Sequence, residues 1–213
     1  MIRKILDKIP DEGLKQDLKK YQQQAIELGA TEAKIITTDL IVIDERVRAK
    51  CIYPKCTSYG TNANCPPYAM SLGMVRKIVN KFRYALFTRL EVPSEQVAGP
   101  VARDKRLTVR SQLKNQEIVS KIEGEAFYDG YHLALGFADG PCKRAFCPET
   151  ECTALVPGRP CRHPLRARSS MEAVGMDVFK MAVNVGWNIY PIGQSLSPSK
   201  VPYGAKLGLV LIH

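Results

Sequence analysis

Cys51, Cys56 and Cys65 recur 96 residues on as Cys147, Cys152 and Cys161, so the spacing C-x4-C-x8-C stands twice in one chain of 213 residues. The seventh cysteine, Cys142, lies five residues before the second copy and extends it to C-x4-C-x4-C-x8-C. Thiols grouped at such spacing point first to metal ligation. Whatever fold the chain adopts must therefore present two sulfur-rich loops, each with its ligands facing one side.

A disulfide framework is a poor alternative, because an odd count cannot pair completely. The opening MIRKILDKIPDE has no apolar core and no small-residue cleavage site, so it reads as no secretory signal and the expected location is the cytoplasm, where thiols stay reduced. No apolar run approaches the length of a membrane span, and no membrane partner is expected. Two hundred residues bury a full core without help from metal, so a metal here serves chemistry or local order rather than bare folding.

Two kinds of metal suit the pattern. Cubane iron–sulfur clusters sit on cysteine loops whose backbone needs unusual angles. TSYGTNAN, between Cys56 and Cys65, supplies Gly60, Asn62 and Asn64 for left-handed positions, and TALVPGRP supplies Gly158. Pro66 and Pro148 each directly follow a cysteine, as in bacterial ferredoxin motifs. Zinc is the alternative, since C-x4-C lies within structural zinc spacing. Yet a third ligand eight residues on is unlike a finger or ribbon, and seven thiolates do not divide into two closed sets of four. The expected cofactors are two 4Fe–4S clusters. Spacing gives Cys142, Cys147, Cys152 and Cys161 to the second and leaves Cys51, Cys56 and Cys65 to the first, whose remaining iron would stay open as a Lewis acid or sulfur acceptor. A second arrangement, with Cys142 crossing to the first-half cluster, stays open.

The formal net charge is +10, which suits an acidic partner: nucleic acid, an anionic substrate or an acidic redox protein. Arg159, Arg162, Arg166 and Arg168, with His163, surround the last cysteine and form a candidate docking face for an anion or an acidic electron carrier such as ferredoxin or flavodoxin, or for a larger redox complex. The same arginines could equally offset cluster charge. Nucleic acid is the weaker partner, because aromatic residues make up 8% of the chain with no stacking motif. His163 reads as a local hydrogen-bonding residue, His132 as a satisfied core residue, and Tyr59, Tyr68 and Trp187 as packing residues. No phosphate-binding glycine loop, zinc-protease pair, nucleophile elbow or C-x3-C-x2-C radical-enzyme motif occurs.

Around the motifs the pattern is α/β, with two pseudo-symmetric halves around a mixed sheet. Leu14, Leu18, Tyr21, Ala25 and Leu28 predict an N-terminal helix. The first half then reads as a strand over AKIITTDLIVI, the cysteine loop, a Ser71-capped helix with Met74, Val75, Ile78, Val79 and Phe82 inward, and the strand YALFTRLEV. PSEQVAGPVARD is a linker. The second half follows with a long helix from about Lys105 to Gly130 carrying Leu113, Val119, Ile122 and Ala126 inward, then a strand over YHLALGF and the second motif. A Ser169–Glu172 capping box opens a helix with Met171, Val174, Val178, Met181 and Val185, and WNIYPI and KLGLVLI follow as an antiparallel strand pair. The halves are residues 1–96 and 97–213, expected to pack as one unit.

Four stretches, ERVRAKC, CTSYGTNANCPP, the GPC entry to the second motif and CRHPLRARSSMEAVGMDV, resemble the cysteine-rich family of predicted metal-binding proteins known as domain of unknown function 2284. Together they cover most of Glu45 to Asp177. Ser169 stands where that family usually has proline. The resemblance implies iron–sulfur or other metal binding in anaerobic metabolism, without a settled reaction. Taken together, the expected function is one-electron transfer or reductive or sulfur-transfer chemistry. The alternative is a zinc- or cluster-stiffened, non-catalytic module that binds RNA or a protein assembly.

Overall fold

Two neighbouring strands, β2 (Tyr84–Val92) and β4 (Gly204–Leu211), divide the apolar interior into two layers. Side chains of a strand alternate between faces. Leu86 and Val210 therefore point together to one side, while Phe87 and Leu209 point together to the other. The chain is described by a computed structural model over residues 3–6, 9–99, 105–193 and 195–213. Among these residues no helix is long and apolar enough to cross a membrane.

Strands β1 (Glu32–Thr37) and β3 (Leu135–Phe137) complete an open four-stranded sheet in the order β1-β2-β4-β3. Every pairing is antiparallel, so the sheet is not mixed. The reason lies in the necks of the cysteine excursions. Thr38 N–H donates to the Arg83 carbonyl at 3.1 Å and its hydroxyl to the Phe82 carbonyl at 2.6 Å, so the chain leaves β1 and enters β2 at the same end of the sheet. No crossover to the far end is made, and a parallel partner is thereby excluded. In the second half the excursion from β3 likewise returns antiparallel, in β4.

One face is covered by α1 (Asp11–Glu27) and α4 (Lys105–Tyr128). Leu14, Leu18, Tyr21 and Ala25 of α1 meet Ile118, Val119, Ile122 and Ala126 of α4, the apolar stripe that helical spacing foretold; Leu28 is half-buried, as is Leu113. The other face carries α3 (Leu72–Val79), α6 (Val178–Asn184) and the segment around Met171. Val75 and Val79 of α3 are buried there, whereas Met74 is exposed. Short helices α2 (Glu45–Ile52) and α5 (Cys142–Phe146) bear cysteines.

The second half departs most from its sequence reading. Ser169 does not cap a helix. Ser170 accepts from Ala173 N–H at 3.1 Å to start a single 3-10 turn over Glu172–Val174. The chain then breaks at Gly175, with φ +82°, and Asp177, accepting from Lys180 N–H, starts α6 afresh. The break lets this segment dock on the first half: Asp44 N–H donates to the Gly175 carbonyl and Asp177 N–H to the Val42 carbonyl. WNIYPI is not a strand, because both edges of β4 are already taken by β2 and β3. AKIITTDLIVI is a strand only as far as Thr37, and YHLALGF only from Leu135. The linker is described as far as Gly99; its remainder lies outside the described residues.

Inward-facing positions of α4 include Gln112, Asn115 and Gln116, all fully buried. Asn115 Nδ2 donates to Asp139 Oδ1 and to the Leu207 carbonyl, both at 2.8 Å. Gln112 Nε2 donates to the carbonyls of Asp139 and Pro141, and Gln116 exchanges hydrogen bonds with the Arg168 backbone. A buried amide must find partners. Their N–H groups find them in the chain entering and leaving the second cysteine loop and in β4, while Asn115 Oδ1 has no partner among the described residues.

Candidate metal centre

The first loop begins inside a helix. Asp44 caps α2, accepting from Arg46 N–H at 2.8 Å, and Cys51 sits in its last turn. Hydrogen bonds to Arg46 hold the Asp44 carboxyl at about 2, below the ordinary value. Arg48 fastens α2 to the rest of the molecule by donating to the carbonyls of Met70 and Ala173. Cys56 N–H donates back to the Cys51 carbonyl at 3.1 Å, closing the first interval. The second interval turns at Gly60, with φ +75°, where Gly60 N–H meets the Pro66 carbonyl at 2.7 Å. Asn62 and Asn64 are not in left-handed positions, as no described residue but glycine has positive φ. Their side chains act instead: Asn62, fully buried, accepts from Asn64 N–H at 3.1 Å and fixes the turn before Cys65.

Cys142 opens α5 and Cys147 closes it, with Cys147 N–H donating to the Lys143 carbonyl at 2.8 Å. Beyond it, the Lys143 ammonium holds the Thr150 carbonyl, and Thr153 Oγ1 donates to the Pro160 carbonyl at 2.8 Å, pinching the interval that turns at Gly158, with φ +74°. His163 N–H donates to Cys161 Sγ at 3.3 Å, the kind of amide–sulfur contact that supports a ligating thiolate.

All seven thiols are free. Cys65 and Cys142 are buried, Cys56 is exposed, and the other four are half-buried. The Cys142 thiol lies against the first loop, 3.4 Å from Asn64 Nδ2 and 3.5 Å from Asn62 Oδ1. Burial pushes its pKa up to about 11, with further upward influence from Cys65, Cys152 and Cys161. Burial also raises Cys65, which feels Cys56 and Cys51 in turn, and Cys51, which feels Cys56. Burial thus raises the thiols of Cys51, Cys65 and Cys142, and Cys142 stands against the first loop. Spacing had grouped Cys142 with the second loop, whereas its hydrogen bonds belong to the first.

By donor chemistry these residues suit a thiophilic metal or a thiolate-held cluster. Among the described residues, no three His, Cys, Asp or Glu side chains already converge on one point close enough to hold a single ion.

The arginines near Cys161 have divided roles. Arg168 pairs with Glu123 and donates to the carbonyls of Pro164 and Ala167, so it is spent on structure. Arg162 holds Thr150 Oγ1 and the Glu151 carbonyl while remaining exposed. Arg166 lies 5.1 Å over the Phe146 ring, which stacks on His163. Arg159 is exposed. A groove that the linear sequence concealed joins Arg166 and Leu165 to Arg110, Lys114 and Lys121 of α4. His132 is exposed rather than buried. Tyr59 is half-buried and Tyr68 exposed, while Trp187 stacks on Phe87 in the core at 4.8 Å.

A cavity of about 520 Å³ opens beside Cys51 and Cys56, lined also by Arg46, Lys50 and Glu172. A second, of about 310 Å³, shares Glu172, Val178 and Phe179 with it and reaches to Asp139, Arg144 and Lys206. Glu172 is the one carboxylate common to both, and burial raises its pKa. Sequence reading passed over it, having used Glu172 only as half of a capping box.

No curated protein and no solved structure matches the chain. The family model described as predicted metal-binding protein (DUF2284) matches residues 34–212, a span that contains both cysteine loops, and the chain belongs to that family.

Proposed function

We propose that the chain is an iron–sulfur protein carrying two 4Fe–4S clusters on its cysteine loops, one with an open iron, and that it serves electron transfer or reductive or sulfur-transfer chemistry. The observation that carries this reading is the placement of Cys142, held by Asn62 and Asn64 of one loop while in electrostatic reach of Cys152 and Cys161 of the other. With Ser169 on the Asn64 carbonyl, it joins the chain entering and leaving the second cysteine loop to the first loop.

The cysteine pattern supports a cluster over zinc. A third cysteine eight residues on is unlike a zinc finger or ribbon, and seven thiolates do not divide into two closed tetrahedral sets of four. A cubane spreads its thiolates over separate iron corners. Cys142 completes the set of Cys51, Cys56 and Cys65, and Cys147, Cys152 and Cys161 hold the second cluster with one iron uncommitted. When bound, such clusters supply one-electron transfer and, at an open iron, Lewis acidity. The chain's own part is to hold the thiolates, donate to their sulfurs from Asn64 and His163, and bury Cys65 and Cys142 from water.

The partner is an acidic electron carrier docking on the groove along α4. Arg110, Lys114, Lys121 and Arg166 line it with Glu117 as the opposing carboxylate, around Leu165, which is 81% exposed. A cationic rim around a bare apolar residue suits a transient, electrostatically steered contact.

Anaerobic purification with iron, sulfide and zinc analysis and electron paramagnetic resonance tests the reading. Brown protein with iron and sulfide near about eight each per chain is expected. Colourless protein with stoichiometric zinc overturns it.

A further inference from the structure

The 310 Å³ cavity contains no cysteine and has a charge arrangement of its own. Of its four ionic side chains, Asp139 and Lys206 neutralise each other at 3.1 Å, with Asn115 on the second carboxylate oxygen. The other two, Arg144 and Glu172, have no ion-pair partner among the described residues. Arg144 Nε is spent on the neutral Gln112 at 3.0 Å, leaving the guanidinium without a carboxylate. The Glu172 carboxyl forms no salt bridge among the described residues, and burial raises its pKa. Among the described residues, one cavity thus holds a guanidinium and a carboxyl group that have no ion-pair partner and form no salt bridge with each other. Met171, Phe179, Ile189 and Ile192 supply apolar wall to the same cavity.

Unpaired charges in a partly buried site are costly, and a ligand bearing their complements recovers that cost. The complement of separated positive and negative groups with an apolar wall is a zwitterion with an apolar substituent. The volume of about 310 Å³ lies at the lower end of the range of about 300–1,000 Å³ for small-molecule sites, which suits a molecule of amino-acid size. We propose that this cavity binds a free α-amino acid with an apolar side chain, its carboxylate on Arg144 and its ammonium on Glu172. No proposed cluster ligand lines the cavity, although Arg144 lies on α5 beside Cys142 and Glu172 also faces the cavity at Cys51 and Cys56.

Isothermal titration calorimetry on the full-length, anaerobically purified protein tests it with L-phenylalanine, L-leucine and L-methionine, and with two truncated relatives of phenylalanine, 3-phenylpropanoate and phenethylamine. Saturable binding of at least one amino acid is expected. If phenylalanine binds, each relative should bind at least about tenfold more weakly, the loss expected on removing one charged hydrogen bond. Arg144→Gln should erase the preference for phenylalanine over phenethylamine, and Glu172→Gln the preference over 3-phenylpropanoate. Arg144→Lys should keep part of the first preference. Comparing ligands on the unaltered protein needs no variant, so a variant that fails to fold leaves the test intact. No heat with any of the three amino acids overturns the proposal, as does binding of either truncated relative as tight as that of phenylalanine. Iron content is read separately, so failure here and failure of the cluster reading are distinguishable.

Discussion

The side-chain amide of Asn64 donates to the sulfur of Cys142 at 3.4 Å, joining residues 78 positions apart in sequence. Ser169 reinforces the junction by donating to the Asn64 carbonyl at 2.9 Å. One asparagine of the first loop is thus held by two residues of the second half, and the second half's first cysteine is presented to the first loop.

Cys142→Ala should leave the cluster of the first loop on three thiolates with one iron open and readily lost, changing its resonance and lowering iron content, while the resonance of the second cluster persists. Asn64→Ala should leave iron content near that of the parent but shift the potential or line shape of the first cluster, because a hydrogen bond to sulfur tunes the centre rather than holding it. Quantified iron with redox-titrated paramagnetic resonance distinguishes the two. Loss of the second signal alone in Cys142→Ala would return Cys142 to the second loop.

Gly175 has φ +82°, and a Cβ there would stand 1.9 Å from Leu72 Cδ2. Gly175→Ala combines left-handed strain with overpacking, and should cost about 2–4 kcal/mol. Urea denaturation followed by the single Trp187 measures it. Adding Leu72→Ala should not restore full stability, since relief of the clash leaves the backbone strain and opens a cavity.

Asn115→Asp changes no volume but replaces two donated hydrogen bonds with an acceptor facing the Asp139 carboxylate and the Leu207 carbonyl. The expected loss is about 3 kcal/mol or more. Hydrogen exchange should show the damage spreading from α4 to the entry of the second cysteine loop, through Asp139 to Cys142. A loss below about half a kcal/mol would mean that the amide network is not what holds that entry.

Asp44 caps the helix that carries Cys51, and its folded-state pKa near 2 lies below the ordinary value of 3.8. A depressed carboxylate contributes stability that is present above the ordinary value and lost as pH falls through the folded one. Protection of α2 amides should therefore decline between about pH 4 and 2. Asp44→Asn, which keeps a capping oxygen without the charge, should flatten that decline. An unchanged acid limb in Asp44→Asn would assign it to another carboxylate.

The repeated cysteine spacing, the apolar stripes of α1 and α4, and the strand-length apolar runs of β2 and β4 were all legible in the linear chain, because each is a local pattern. Family membership was legible too, in the loops that carry the ligands. What the sequence could not decide was set by competition between distant segments. WNIYPI has strand character, yet β4 had no free edge to offer it. The helix read after Ser169 is interrupted at Gly175, where the chain must pass Leu72 and bond to Asp44. Gln112, Asn115 and Gln116 are polar residues outside the apolar stripe read from the sequence, yet they are buried, because the backbone entering and leaving a cysteine loop carries polar groups that something must satisfy. The thiols declared their chemistry by spacing alone; which thiol stands beside which, and the unpaired Arg144 and Glu172 of one cavity, arise only when the two halves pack, since proximity across a fold has no period to read.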